Sequence, residues 1–390
     1  MTSFNLIENR VKSIKTITIL FLILGLLLSS NLWIGKRQFP MIPCANSFEN
    51  IPYSLNYLLF PLLLLLLLYD IFKENKWSLI TSLIILFFFL LQDQNRLQPW
   101  VYIYILILIP YCISNHFKNL EIDLLIPIKI ILIATYFWSG IQKANVNFIE
   151  GVFVHILMDL FKIQSIETIR SVLPLGYIIS FTEIFIAFSL MFKKLRNIGI
   201  ALAICTHTFI LLYTSPLGLN NNYIIYPWNV AMILLVITLF YKDNSNFKVF
   251  KLISIKTTFL NYFYFVLLGL LPILNFFEKW DDYLSFSLYS EKSKIFYIAV
   301  SDKYIGLLNH EFDDCFLKLD TNIQGGKVID VNKWSMKELN VPIYPEIRVF
   351  KKISKDFCKY GIPDTDIVFL MYKGTVNNDN LTKWVCKNLD

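Results

Sequence analysis

Charge is scarce in this sequence. Asp, Glu, Lys and Arg supply only 17% of 390 residues, against a hydrophobic share of 56% and a mean hydropathy of +0.54. Soluble domains carry about 25% charged residues, so an ordinary water-soluble globule is excluded. Glycine is sparse too, at 13 residues, and no Gly-rich phosphate loop, GxSxG elbow, CxxC pair or HExxH helix occurs. The usual sequence support for nucleotide, serine-hydrolase, dithiol and zinc-protease chemistry is therefore missing. His155 and Asp159 stand four apart, on one face of a helix, but no further ligands accompany them and no metal is expected. The net charge of +7 comes from lysines in short loops and in the C-terminal tail, not from a basic run interleaved with aromatics, which argues against a nucleic-acid partner.

What the chain has instead is long apolar runs. About nine of them approach the roughly 20 residues a helix needs to cross a bilayer: Thr16 to Trp33, Tyr53 to Phe72, Trp77 to Leu91, Trp100 to Ile113, Leu124 to Ile141, Val172 to Phe192, Asn197 to Tyr213, Tyr223 to Phe240, and Thr258 to Phe276. The third and fourth are short and would tilt or re-enter. The first follows Arg10, Lys12 and Lys15 like a signal peptide, but it lacks a small-residue cleavage site and reads as a true span. The fold expected is an all-α polytopic membrane bundle over residues 1–277.

Cationic residues set the orientation. Arg10, Lys12 and Lys15, the Lys73 and Lys76 turn, Lys193, Lys194 and Arg196, and Lys242, Lys248, Lys251 and Lys256 fall on one side, which the positive-inside rule makes cytoplasmic. The N-terminus is then cytoplasmic. Residues 278–390 change character and form an extracytoplasmic domain, β-rich or α/β, with strands expected at Lys294 to Val300, Glu346 to Phe350 and Ile367 to Tyr372. Cys44, Cys315, Cys358 and Cys386 share that exterior, where one or two disulfides can persist, one of them reaching from Cys44 to the tail; spacing does not fix the pairing.

Ionisable groups inside spans are costly and mark candidate sites. Glu183 lies about 20 Å above the Arg196 boundary and His207, on the antiparallel neighbour, about 16 Å above it. At matching depth a carboxylate and an imidazole can share a proton, or simply pin two spans together. Lys143 ends the fifth span. Turned inward it would lose water and supply a neutral amine as a base; turned outward it would snorkel. The amphipathic stretch from Glu150 to Phe161 reads as an interfacial lid. Asp93 and Arg96, in the polar loop from Asp93 to Trp100, have the spacing of an ion pair, with a structural cap and a cavity wall as the two readings.

The stretch Tyr136-Phe137-Trp138-Ser139-Gly140-Ile141-Gln142-Lys143, followed by Asn147-Phe148-Ile149-Glu150-Gly151, resembles the vitamin K-dependent γ-glutamyl carboxylase family and its HTTM (horizontally transferred transmembrane) relatives. Arg196-Asn197-Ile198-Gly199 with His207, an acid at Glu183, and Trp280-Asp281-Asp282-Tyr283-Leu284-Ser285-Phe286 extend the likeness. The resemblance implies a lyase-type membrane enzyme. Its cofactor would be reduced vitamin K or another lipid quinol. Lys143 would be the base that deprotonates the quinol, which oxygen then turns into a stronger base that opens a substrate glutamate to carbon dioxide. Glu183 and His207 would support Lys143, and Tyr136, Trp138 and Gly140 would line the cofactor site. Two departures matter: Trp100 stands near where the family has a histidine, and the long extramembrane region of the animal enzymes is missing. A related quinol-coupled reaction on another substrate is thus implied as readily as glutamate carboxylation. The bilayer, a lipid quinone and a protein or peptide substrate are the expected partners. The competing reading is a non-enzymatic scaffold whose C-terminal domain binds another protein. A transporter would need paired inverted repeats, which the sequence does not display.

Overall fold

A computed structural model describes residues 3–35, 37–49, 51–73, 75–114, 124–216, 218, 223–243, 259–308, 310–317, 326–374, 376 and 380–389. The principal helices are α1 (Ser3–Leu28), α2 (Ser54–Lys73), α3 (Lys76–Gln92), α4 (Pro99–Ser114), α5 (Leu125–Lys143), α6 (Tyr177–Met191), α7 (Arg196–Thr214), α8 (Ile225–Phe240) and α9 (Phe259–Phe277). A short helix, Ile166–Val172, and a tight turn, Leu173–Gly176, lead into α6 and extend it outward. Six of the described helices are long and apolar enough to cross a membrane; α3, α4 and α8 are apolar but shorter. Leucine runs such as Leu62 to Leu68 leave apolar side chains all round α2, and Leu62, Leu65 and Leu68 stay exposed, the surface expected where lipid is the solvent.

At the end of the bundle that carries the N-terminus, one carboxylate gathers three helices. Asp243, after α8, is reached by Arg10 of α1 at 3.8 Å, Lys129 of α5 at 2.7 Å and Arg196 of α7 at 3.3 Å. Arg196 Nε also donates to Leu190 O of α6 at 3.0 Å, and Arg10 Nη2 to Tyr241 O at 2.8 Å. Cations on the last carbonyls of a helix offset its negative end. Lys248, Lys251 and Lys256 lie outside the described residues.

The C-terminal part, termed the outer domain for its place at the end of the bundle away from Asp243, is a five-stranded antiparallel sheet, β1 (Lys294–Ser301), β2 (Phe316–Leu317), β3 (Gly326–Asp330), β4 (Ile367–Lys373) and β5 (Leu381–Trp384), in the order β2-β3-β1-β4-β5. Helices α10 (Val331–Leu339) and α11 (Ile347–Cys358) accompany it, and Phe296 of β1 stacks between Phe350 of α11 at 4.8 Å and Trp384 of β5 at 5.6 Å. The strands expected at Lys294 and Ile367 are present. The one expected from Glu346 to Phe350 is instead the start of α11, because Val349, Phe350, Ile353 and Phe357 repeat at helical spacing and bury one face.

Cys358 and Cys386 form a disulfide, which ties the end of α11 to the end of the chain. Cys44 is not bridged to the tail; its thiol donates to Leu90 O at 3.4 Å, while Cys315 is a buried free thiol. The domain sits on the bundle through Tyr102 Oη to Tyr283 O at 2.9 Å, Gln98 Nε2 to Pro342 O at 3.0 Å, Tyr344 N to Asn95 Oδ1 at 3.1 Å and Arg348 Nε to Gln94 Oε1 at 2.6 Å. Asp93 takes Arg37 as its partner rather than Arg96, which turns away onto backbone carbonyls.

Candidate functional site

Helices α5 and α6 touch backbone to backbone. A Cβ at Gly140 would stand 2.7 Å from Ser180 O and 2.7 Å from Ile184 Cγ1, so only glycine permits the approach. The face of Gly140, expected to line a cofactor, is filled by α6. One turn further, the close contact brings Lys143 against Glu183. Lys143 Nζ lies 2.9 Å from each carboxylate oxygen of Glu183 and 2.6 Å from Ser139 Oγ. The lysine side chain is 12% exposed and the glutamate 6%, so the pair is inside the bundle and Lys143 does not snorkel.

His207 does not join Glu183, contrary to the expectation from matching depth. Depth fixes height but not the azimuth of a helix face, and α7 turns His207 toward α5 and α8. His207 Nε2 lies 2.8 Å from Tyr136 Oη, and Nδ1 lies 2.7 Å from Asn229 Oδ1. Asn229 Nδ2 donates to Ile225 O at 2.8 Å, which leaves Oδ1 as the acceptor. The neutral imidazole then carries its proton on Nδ1, and bare Nε2 accepts from the Tyr136 hydroxyl.

Tyr136 and Lys143 are seven residues apart on α5 and share a face. Trp138, two residues past Tyr136, is turned about 200° away at 100° per residue, so it belongs to the opposite face. It is buried against Phe137, with ring centroids 5.1 Å apart. It cannot line one pocket with Tyr136 and Lys143. Ser180, fully buried, precedes Glu183 by a turn on α6 with its hydroxyl unpartnered.

The end of α5 is clamped on its other side. Gln142 is fully buried; its Nε2 donates to Asn275 Oδ1 of α9 at 3.1 Å and its Oε1 accepts from Lys292 Nζ at 3.0 Å. Asn275 Nδ2 continues to Asp282 Oδ1 at 2.8 Å. Beyond Lys143, Ile149–Phe153 and Val154–Asp159 form a short helical segment whose Phe148, Ile149, Phe153 and Leu157 pack together, while Met158 and Phe161 stay exposed. His155 and Asp159 are exposed and 4.0 Å apart, and no cluster of three metal-ligating side chains occurs among the described residues.

Asn229, Ser139 and Ser180 were not singled out in the sequence, although Asn229 offered the same signal as Glu183, a polar side chain in the middle of an apolar run. No family model, no curated protein and no solved structure matches this chain.

Proposed function

We propose that this chain is a membrane enzyme of the kind its resemblance to the vitamin K-dependent carboxylase and HTTM families implies, using Lys143 as a base toward a lipid quinol. The observation that carries the reading is the buried contact of Lys143 Nζ with both oxygens of Glu183. A buried ion pair persists only with good geometry, and Glu183 stands within hydrogen-bond reach of the nitrogen that would have to shed its proton to act as a base. Ser139 orients the amine, and Tyr136, His207 and Asn229 provide a second, separate chain of hydrogen bonds about two turns deeper. A bound quinol would supply an ionisable hydroxyl and the reducing electrons for the reaction with oxygen. Ser180 Oγ, unpartnered beside the pair, fits a ring oxygen, and an apolar groove on α6 lined by Ile178, Phe181, Phe185 and Phe188 suits a lipid tail.

The same reading has all nine apolar helices crossing the bilayer, with the Asp243 cluster cytoplasmic and residues 278–390 outside. The Cys358 to Cys386 bond supports this orientation, because disulfides persist in oxidising compartments. The test is to purify the protein in detergent and extract lipid quinones. Wild type is expected to retain one, and Lys143→Ala to fold and lose turnover.

A second reading has its own support. The close approach at Gly140 lets Lys143 and Glu183 act as a staple between α5 and α6 in a scaffold whose outer domain binds another protein. Such a protein would yield no quinone, and Lys143→Ala would alter stability alone.

A further inference from the structure

The loop joining α3 to α4 folds inward beneath the outer domain and, together with Arg37 of the preceding loop, sets two guanidinium groups beside one carboxylate. Asp93 is 0% exposed and pairs with Arg37, whose side chain is 1% exposed. The remaining bonds to Asp93 come from Ile42 N at 3.2 Å, Asn95 N at 3.1 Å and Asn95 Nδ2 at 3.2 Å. Arg96, also 0% exposed, makes no carboxylate contact. Its Nε donates to Leu32 O at 2.9 Å, Nη1 to Phe89 O at 3.1 Å and Gln92 Oε1 at 2.7 Å, and Nη2 to Trp33 O at 3.1 Å. Its guanidinium lies 4.9 Å from the Phe89 ring centre. Burial pushes Arg96 below its ordinary value; Asp93 opposes this and Arg37 adds to it. Glu338 of the outer domain is engaged by Gln38 N, Phe39 N and Trp334 Nε1.

Two buried donors in this cluster have no acceptor among the described residues, Arg37 Nε and Gln92 Nε2. Both are tied to Arg96. Gln92 Nε2 is on the amide whose oxygen accepts from Arg96. Arg37 Nη1 reaches Leu32 O at 3.5 Å, the carbonyl that Arg96 Nε also uses. Orphaned donors and an uncompensated guanidinium are costly for the same reason, and one negative ion answers both. We propose that the cluster of Arg37, Gln92 and Arg96 binds a small monovalent anion of the size of chloride, held by the N–H groups of Arg37 and Gln92.

The test is thermal unfolding of the full chain in detergent, in sodium chloride against sodium gluconate at equal ionic strength, since gluconate is too large to enter. Chloride is expected to raise the wild-type Tm saturably by several degrees, as for any ligand that binds only the folded state. Gln92→Glu, which supplies the negative charge covalently, is expected to raise the Tm in gluconate and to abolish the chloride response. Equal wild-type Tm values in the two salts would overturn the proposal and leave water as the occupant. So would a Gln92→Glu protein that keeps the full chloride response.

Discussion

Lys143 holds its ammonium nitrogen 2.9 Å from both carboxylate oxygens of Glu183, a residue forty positions away on the neighbouring helix. Removing one member of such a buried pair strands the other. Glu183→Gln is expected to lower stability by about 3–5 kcal/mol, with the double variant Lys143→Met/Glu183→Leu recovering most of it. Chemical unfolding in detergent reads this directly. If the single variants are as stable as wild type, the two side chains are not paired in the folded protein.

Tyr136→Phe removes the donor to His207 Nε2 and leaves a buried acceptor bare. A loss of about 1–3 kcal/mol is expected, and Asn229→Leu should cost a similar amount by stranding Nδ1–H. Because the two bonds share one imidazole, the double variant should fall short of the sum. Strict additivity in that cycle would mean that the chain of three is not continuous.

Substituting Gly140 tests how α5 sits on α6. Gly140→Ala puts a methyl 2.7 Å from the Ser180 carbonyl oxygen, a backbone atom that cannot rotate aside. The expected cost is about 1–3 kcal/mol, with Gly140→Leu worse. Quinone retention should fall with Gly140→Ala, since Lys143 and Glu183 meet through this contact.

Much of the bundle was legible because a bilayer imposes a length and an apolarity that a sequence displays openly; all nine runs are helical in the structure. The site was legible only in part. Lys143, Glu183, His207 and Tyr136 stood out as polar groups in costly surroundings or by resemblance, yet their pairing depends on how each helix is rotated, which depth does not report. Helical arithmetic alone could have separated Trp138 from Tyr136, two positions apart, and joined Tyr136 to Lys143, seven apart. Glu346 to Phe350 was misread because five residues are too few to distinguish a period of two from one of 3.6; Ile353 and Phe357 decide it.

Acid should loosen the seat of the outer domain. Burial works against the charged form of Asp281, but hydrogen bonds from Arg348 and Tyr344 prevail and hold it below its ordinary value. A depressed carboxyl contributes stability above its unfolded value, about pH 4, and loses it as pH falls through the folded one. Wild-type Tm is therefore expected to drop below about pH 4, and Arg348→Gln to lower the neutral Tm while flattening that drop. An unchanged acid limb in Arg348→Gln would assign the sensitivity to other groups.

Orientation has a chemical test. Cys44 lies in the loop between α1 and α2 with an exposed side, and burial of its sulfur, partly countered by Arg348, pushes its thiol up. A membrane-impermeant maleimide applied to intact cells is expected to label Cys44, more slowly than a free thiol at neutral pH and faster as pH rises. Labelling only after the cells are opened would reverse the assigned orientation.

Gln142 sits between Asn275 and Lys292, one peptide bond from Lys143. Its amide therefore ties the end of α5 to the last apolar helix through Asn275 and to the chain that enters the sheet through Lys292. Strain applied to the sheet reaches Lys143 through the Lys292 to Gln142 hydrogen bond and one peptide bond. Whatever grips the sheet also pulls on the end of α5 that carries Lys143.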